Sequence, residues 1–145
     1  LFATLVGVCV GGWVCIRIGI LQAMFLGAFL MMVTNLAFAL LATSGKSFEL
    51  LATVVFFDNL TGGMATTAFV AYLSSLCNVA FTATQYALLA SLGNFSRIQL
   101  GSVSGWAVDS FDGDWTLFFV GVAAMSIPAI LLLWLLVRRL PEIER

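Results

Sequence analysis

Two ionisable side chains, Asp58 and Arg97, interrupt stretches apolar enough to form membrane-crossing helices, in a chain of 145 residues of which 62% are hydrophobic and 9% charged. An ionisable group at the bilayer centre costs about 2.5 to 3.5 kcal/mol on insertion scales, so it faces a cavity, a pathway or a partner charge. Asp58 lies ten residues after Phe48, the expected start of its helix, which at 1.5 Å per residue is about 15 Å of depth. Arg97 lies eleven residues before Val108, the expected end of the next helix, about 16 Å from the same face. Antiparallel neighbours would bring the two charges to one level. Two readings follow: a structural ion pair, or an acid beside a water-filled path whose protonation responds to a cation that moves, with Arg97 as the docking point for an anionic group.

The residues around Asp58 fit either reading. Gly62 and Gly63 follow it by about one turn, as a bending point or as close-packing positions, and each glycine weakens a helix by about 1 kcal/mol relative to alanine. The spacings Asp58 to Gly62 and Asn59 to Gly63 put polar groups and glycines on one face. Gly101 and Gly105 have the small-residue spacing of a packing seam.

Five helices must carry these residues, expected at 1–14, 21–42, 48–73, 82–108 and 115–137: one partial span and four full ones in an all-α, polytopic transmembrane bundle. The first ends at a short connection around Arg17 and Gly19, and its apolar run to Ile16 is shorter than the roughly 20 residues needed to span. The chain is therefore expected to begin inside a helix, as the C-terminal piece of a larger protein. Thr34 and Asn35 fall mid-span in the second segment, where Asn35 is expected to act as interhelical glue. Gly45 and Ser47 suit a turn, Thr82 to Gln85 has capping-box spacing, and Asp114 is a natural N-cap for the last helix, which Pro128 is expected to kink. The fourth helix is the most polar, with Gln85, Asn94, Ser96, Arg97 and Gln99.

Composition excludes several classes. Mean hydropathy is +1.12, and a soluble domain carries about 25% charged residues. A net charge of −1 with six scattered Lys and Arg gives no surface for nucleic acid. With no histidine, and with Cys9, Cys15 and Cys77 in apolar surroundings without a C-x-x-C pair, neither a metal site nor a catalytic triad has its parts. No catalytic residue and no cofactor is expected. Basic residues set orientation: Arg17, Arg138, Arg139 and Arg145 share one side, against Lys46 and the acidic loop at Asp109 to Asp114 on the other, which puts the C-terminus in the cytoplasm.

The run from Phe57-Asp58-Asn59-Leu60-Thr61-Gly62-Gly63-Met64 through Ala71, followed by Leu76-Cys77-Asn78, Phe81-Thr82-Ala83-Thr84-Gln85-Tyr86, Arg97 and Gly105-Trp106, resembles the AmpG-type muropeptide permeases of the major facilitator superfamily. The resemblance implies the end of helix 8 and helices 9 to 12 of a twelve-helix transporter. It also implies proton-driven import of anhydro-muropeptides for cell-wall recycling, across the bacterial inner membrane, by alternating access. The partners it implies are lipid, a glycopeptide substrate, protons and the transporter's N-terminal half. The segment Gly12 to Gly19 is similar to the superfamily's cytoplasmic loop between helices 8 and 9, with Ile16 where an acid commonly precedes the arginine. Asp58 stands where relatives often have Glu, Ala65 where glycine is common, and Val79 where a basic residue can occur.

For such a substrate Asn59, Gln85, Asn94 and Gln99 can bond hydroxyls and amides, and Tyr86 or Trp106 can cover a sugar face; each also suits helix packing. The residues expected to line a substrate cavity are Asn59, Gln85, Tyr86 and Asn94. Import of another anionic solute, such as an acyl-coenzyme A conjugate, and a non-transporting membrane sensor are the alternatives.

Overall fold

In lipid a backbone must satisfy its own hydrogen bonds, and apolar runs of this length do so as helices. The computed structural model describes residues 1–43, 48–77, 82–110 and 114–139, and among them stand five helices: α1 (Phe2–Ile18), α2 (Ile20–Thr43), α3 (Phe48–Leu76), α4 (Thr82–Ser110) and α5 (Trp115–Arg139). The expected turn at Gly45 and Ser47, Lys46, Asn78 to Phe81, Asp112, Gly113 and the end from Leu140 to Arg145 lie outside the described residues, as do the side chains of Thr82, Ser96 and Asp109. The all-α bundle expected from the sequence is what the described residues form. By length and composition α2, α3 and α5 can each cross a membrane. The apolar α1 is shorter, at 17 residues, and α4 has 29 residues with polar side chains along its middle.

Helix ends follow local chemistry. α1 continues past the expected stop at Val14 to Ile18, so Arg17 belongs to its last turn. A charge does not end a helix when its side chain can lie along the surface, and Arg17 sits over the Trp13 ring at 5.3 Å. The break is Gly19 alone, at φ 93, a left-handed conformation that glycine adopts without a Cβ clash. Its N–H bonds the Cys15 carbonyl at 3.1 Å, and its own carbonyl accepts from the Ala23 N–H at 3.0 Å, so one residue joins α1 to α2. At α5 the Asp114 carboxylate accepts from the N–H groups of Thr116 (2.9 Å) and Leu117 (3.4 Å), the N-cap its position suggests. α5 continues through Pro128 to Arg139.

α3 is the centre of the bundle. It packs along α1 on one side and α2 on another, α5 packs along α2, and α4 touches α3 and α5 sparingly. The α1–α3 seam is built on glycines whose missing side chains let two backbones meet. A Cβ on Gly7 would collide with the Leu60 carbonyl, one on Gly11 would stand 2.8 Å from Met64 Cα, and one on Gly63 would stand 2.5 Å from the Thr4 carbonyl oxygen. Across the other seam a Cβ on Gly27 would reach Ala65 Cα at 3.0 Å. Phe38 on α2 stacks with Phe119 on α5 at 5.3 Å between centroids. Much of the surface outside these seams is apolar, with Met125, Leu132 and Leu88 among its exposed side chains, as a lipid-facing surface requires.

Gly62 and Gly63, adjacent in sequence, meet different surroundings, since nothing lies within 4 Å of a Cβ built on Gly62. Gly63→Ala is therefore expected to lower stability by about 1 to 3 kcal/mol through overpacking, and Gly62→Ala to raise it by up to about 1 kcal/mol through helix propensity. Thermal unfolding of the detergent-solubilised full-length protein checks both signs; equal effects would contradict the seam.

Candidate functional site: a polar cavity between α3 and α4

On α3 the positions Asp58, Gly62, Ala65, Thr66, Phe69 and Leu73 recur at helical spacing, and on α4 so do Tyr86, Ala90, Gly93, Asn94 and Arg97. These two faces look onto one cavity of about 780 Å³, closed further by Thr4 and Val8 of α1 and Met31 of α2. Binding cavities for small molecules commonly fall between about 300 and 1,000 Å³, with apolar walls and a few placed polar groups. Here the polar side chains are Thr4, Asp58, Asn59, Thr66, Tyr86, Asn94 and Arg97. Along α3 the cavity runs from Asp58 to Leu73, about 22 Å at helical rise, and along α4 from Arg97 to Tyr86, about 16 Å. It thus occupies the halves of α3 and α4 nearest their own connection, leaving Phe48 to Phe57 and Ile98 to Ser110 outside it.

Helix spacing sets what the cavity includes. Of the residues singled out in the sequence, it brings together Asp58, Asn59, Gly62, Gly63, Tyr86, Asn94 and Arg97. Gln85 is one residue from Tyr86, a rotation of about 100° on a helix of 3.6 residues per turn, and does not line the cavity. Gln99 and Trp106 are also outside it, Trp106 being exposed. Gly101 and Gly105 meet no atom within 4 Å of an added Cβ, so the face of α4 that carries them is open. Arg17 and Gly19 mark the α1–α2 corner, away from the cavity.

Asp58 and Arg97 share the cavity without closing on each other. Among the described residues they form no ion pair; the Asp58 Oδ1 accepts instead from the Thr34 hydroxyl at 3.3 Å. Thr34 is buried on α2, and the residue expected to bridge helices there, Asn35, bonds no other described side chain or backbone group. Asn59 is held from two directions: its Oδ1 accepts from Thr4 Oγ1 at 3.2 Å, and its Nδ2 donates to the Val55 carbonyl at 2.8 Å. That leaves the second N–H of its amide for the cavity. Thr61 donates to the backbone carbonyl of Asp58 at 3.1 Å and leaves the carboxylate alone. The sequence signal for Thr4 and Thr34 is slight, because threonine is common within helices and bonds its own preceding turn. Among the described residues no group of three or more His, Cys, Asp or Glu is arranged to hold a metal ion.

Similarity to known proteins extends over most of the chain. The chain is 38% identical over 133 residues, 92% of its length, to the anhydromuropeptide permease of Escherichia coli (strain K12). The chain belongs to the AmpG-type muropeptide permease family. It is 35% identical over 129 residues to the transporter AmpG 1 of Rickettsia felis, and 34% identical over 133 residues to the transporter AmpG 4 of Rickettsia conorii, 89% and 92% of this chain. It spans 27%, 29% and 32% of the lengths of these three relatives. No protein-family model matches it. Its AmpG-type relatives are named as permeases and transporters, so the family is one of membrane carriers and not of enzymes.

A cavity of this kind must admit water. With Cys9, Cys15 and Cys77 replaced, Thr66→Cys, on the cavity wall, is expected to react with a membrane-impermeant thiol reagent in the full-length protein. Ala68→Cys, fully buried two residues away, is expected to stay unmodified. Equal labelling of the two positions would contradict the assigned face of α3.

Proposed function

We propose that this chain supplies cavity-lining helices of a proton-coupled secondary transporter of the major facilitator superfamily, importing anhydro-muropeptides across the bacterial inner membrane by alternating access. The observation that carries the proposal is the meeting of Asp58 and Asn59 on α3 with Tyr86, Asn94 and Arg97 on α4 around one cavity. The name of the Escherichia coli relative, an anhydromuropeptide permease, supplies the substrate class. The chain spans 27% of the length of the Escherichia coli relative, and in this reading the remainder of such a transporter closes the rest of the path.

Each cavity group has a role in this reading. Asp58 takes up and releases the coupling proton. Arg97 offers a planar fork of donors to an anionic group of the substrate. Asn59 and Asn94 bond hydroxyls and amides, and the Tyr86 ring covers a sugar face. With the C-terminus cytoplasmic, as the placement of Arg17, Arg138 and Arg139 at helix ends on one side favours, the α3–α4 connection is also cytoplasmic. The cavity between Asp58 and that connection then belongs to an inward-facing arrangement. Arg138, at 3.8 Å over the Trp134 ring, suits an interface position on the same side.

In the full-length transporter Asp58→Asn is expected to reduce proton-driven uptake of anhydro-muropeptide at least tenfold and to flatten its pH dependence, with insertion into the membrane unchanged. Uptake and pH profile like those of the wild type would sink the coupling role. Competition for uptake by an acyl-coenzyme A, with none by anhydro-muropeptide, would overturn the substrate class.

A further inference from the structure

We infer that Thr34 is a positioning residue for Asp58, one hydroxyl that partners the carboxyl group in both of its protonation states; this rests on the reading of Asp58 as the coupling acid. Thr34 lies on α2, only 6% exposed, and its Oγ1 stands between two acceptors: the Met31 carbonyl of its own helix at 2.9 Å and the Asp58 Oδ1 of α3 at 3.3 Å. A hydroxyl carries one proton and two lone pairs, and it rotates to suit its partners. Beside an ionised Asp58 it donates to the carboxylate. Once the carboxylate has taken one proton from cavity water, the new acid O–H donates to Thr34 Oγ1, whose own proton turns to the Met31 carbonyl. The threonine keeps its proton throughout, and the only net change is the proton gained by Asp58.

Neither a fixed donor nor a fixed acceptor could do this. A backbone N–H favours only the charged acid, and a carbonyl only the neutral one. Asp58 is only partly exposed, and on its shielded side the unpartnered form would carry a desolvation penalty that a partner able to reverse removes. The remaining groups do not supply one. On α4 the titratable or charged side chains of the cavity are Arg97 and, eleven residues away at its other end, Tyr86, while α1 presents Thr4 and Val8, and α2 presents Met31 in the cavity and Thr34 beside Asp58. Thr4 is engaged with Asn59, and Thr61 with the Asp58 backbone.

The test is the pH profile of proton-driven anhydro-muropeptide uptake by the full-length transporter in membrane vesicles. Thr34→Val, close to threonine in shape, removes the hydroxyl, and Thr34→Ala removes it with less risk of crowding. Whichever accumulates normally in the membrane is expected to move the pH midpoint of uptake upward by roughly half a unit to one unit, because the bond that Thr34 donates to the carboxylate is charge-assisted and the bond it accepts from the neutral acid is not. Thr34→Ser is expected to restore the wild-type midpoint, and neither loss is expected to add to Asp58→Asn. A midpoint unmoved in a well-inserted hydroxyl-less variant overturns the inference, as does a Thr34→Ser midpoint displaced as far as that of Thr34→Val. If Asp58→Asn abolishes coupled uptake while the Thr34 variants behave as wild type, only the role of Thr34 falls. Wild-type coupled uptake by Asp58→Asn removes the coupling reading itself.

Discussion

The contact of α1 with α3 through glycine fixes the rest of the structure. In lipid, helices gain little from burying apolar surface against one another, so their association depends on van der Waals contact at close range. Gly7, Gly11 and Gly63 provide that range, bringing the Leu60 and Met64 backbone of α3 against α1. The seam determines how α3 is turned about its axis. Once Gly63 faces α1, helical geometry directs Asp58, Gly62, Thr66 and Phe69 toward the side where α4 stands. Thr67 adds a hydrogen bond to the Val8 carbonyl at 3.4 Å along the same seam. The polar cavity is thus a consequence of where the small residues lie, as much as of where the charges lie.

Polar groups inside the bundle are held by hydroxyls more than by charge. Two unit charges in contact attract strongly where the dielectric is low, and such a pair would tie α3 to α4. Here the acid is satisfied from the opposite direction, by Thr34 of α2, and Arg97 remains on the far wall. Such an arrangement is compatible with a water-filled space between the two and supports a role for each toward something that enters it. Asn59 is likewise tied to α1 by Thr4 rather than to α4. The α1–α2–α3 side of the cavity is therefore cross-linked, while the α4 side carries groups directed at the space itself.

Much of this was legible in the sequence, for reasons that differ by feature. The helices were, because apolar runs in this length range bounded by Gly19 or Asp114 allow little else, and Asp114 caps α5 as its side chain suggests. The end of α1 was not, because Arg17 resembles the start of a loop although its aliphatic stem lets it stay helical beside Trp13. At the site, spacing from Asp58 and Arg97 identifies Gly62, Asn94 and, through two further turns, Tyr86. Gln85 fails by a single residue of rotation. Thr34 was passed over for its more polar neighbour Asn35, since residue type ranks the amide higher; only the packing of α2 on α3 shows which of the two faces Asp58.

The sparse attachment of α4 links these observations. Its approach to α3 includes Gly93, where an added Cβ would stand 3.2 Å from the Phe69 ring, while the glycines farther along, at 101 and 105, touch nothing among the described residues. A helix joined at few points can shift against its neighbour at less cost than one locked in a glycine seam, because few packed contacts must be remade. A shift of α4 would change the separation of Arg97 from Asp58 without disturbing the hydrogen bond from Thr34, which comes from the locked side. The acid would then feel a cation whose distance varies with conformation while its nearest partner stays constant. That division between a fixed hydroxyl and a guanidinium on a sparsely attached helix supports the proposed coupling of proton occupancy to the state of a transport path.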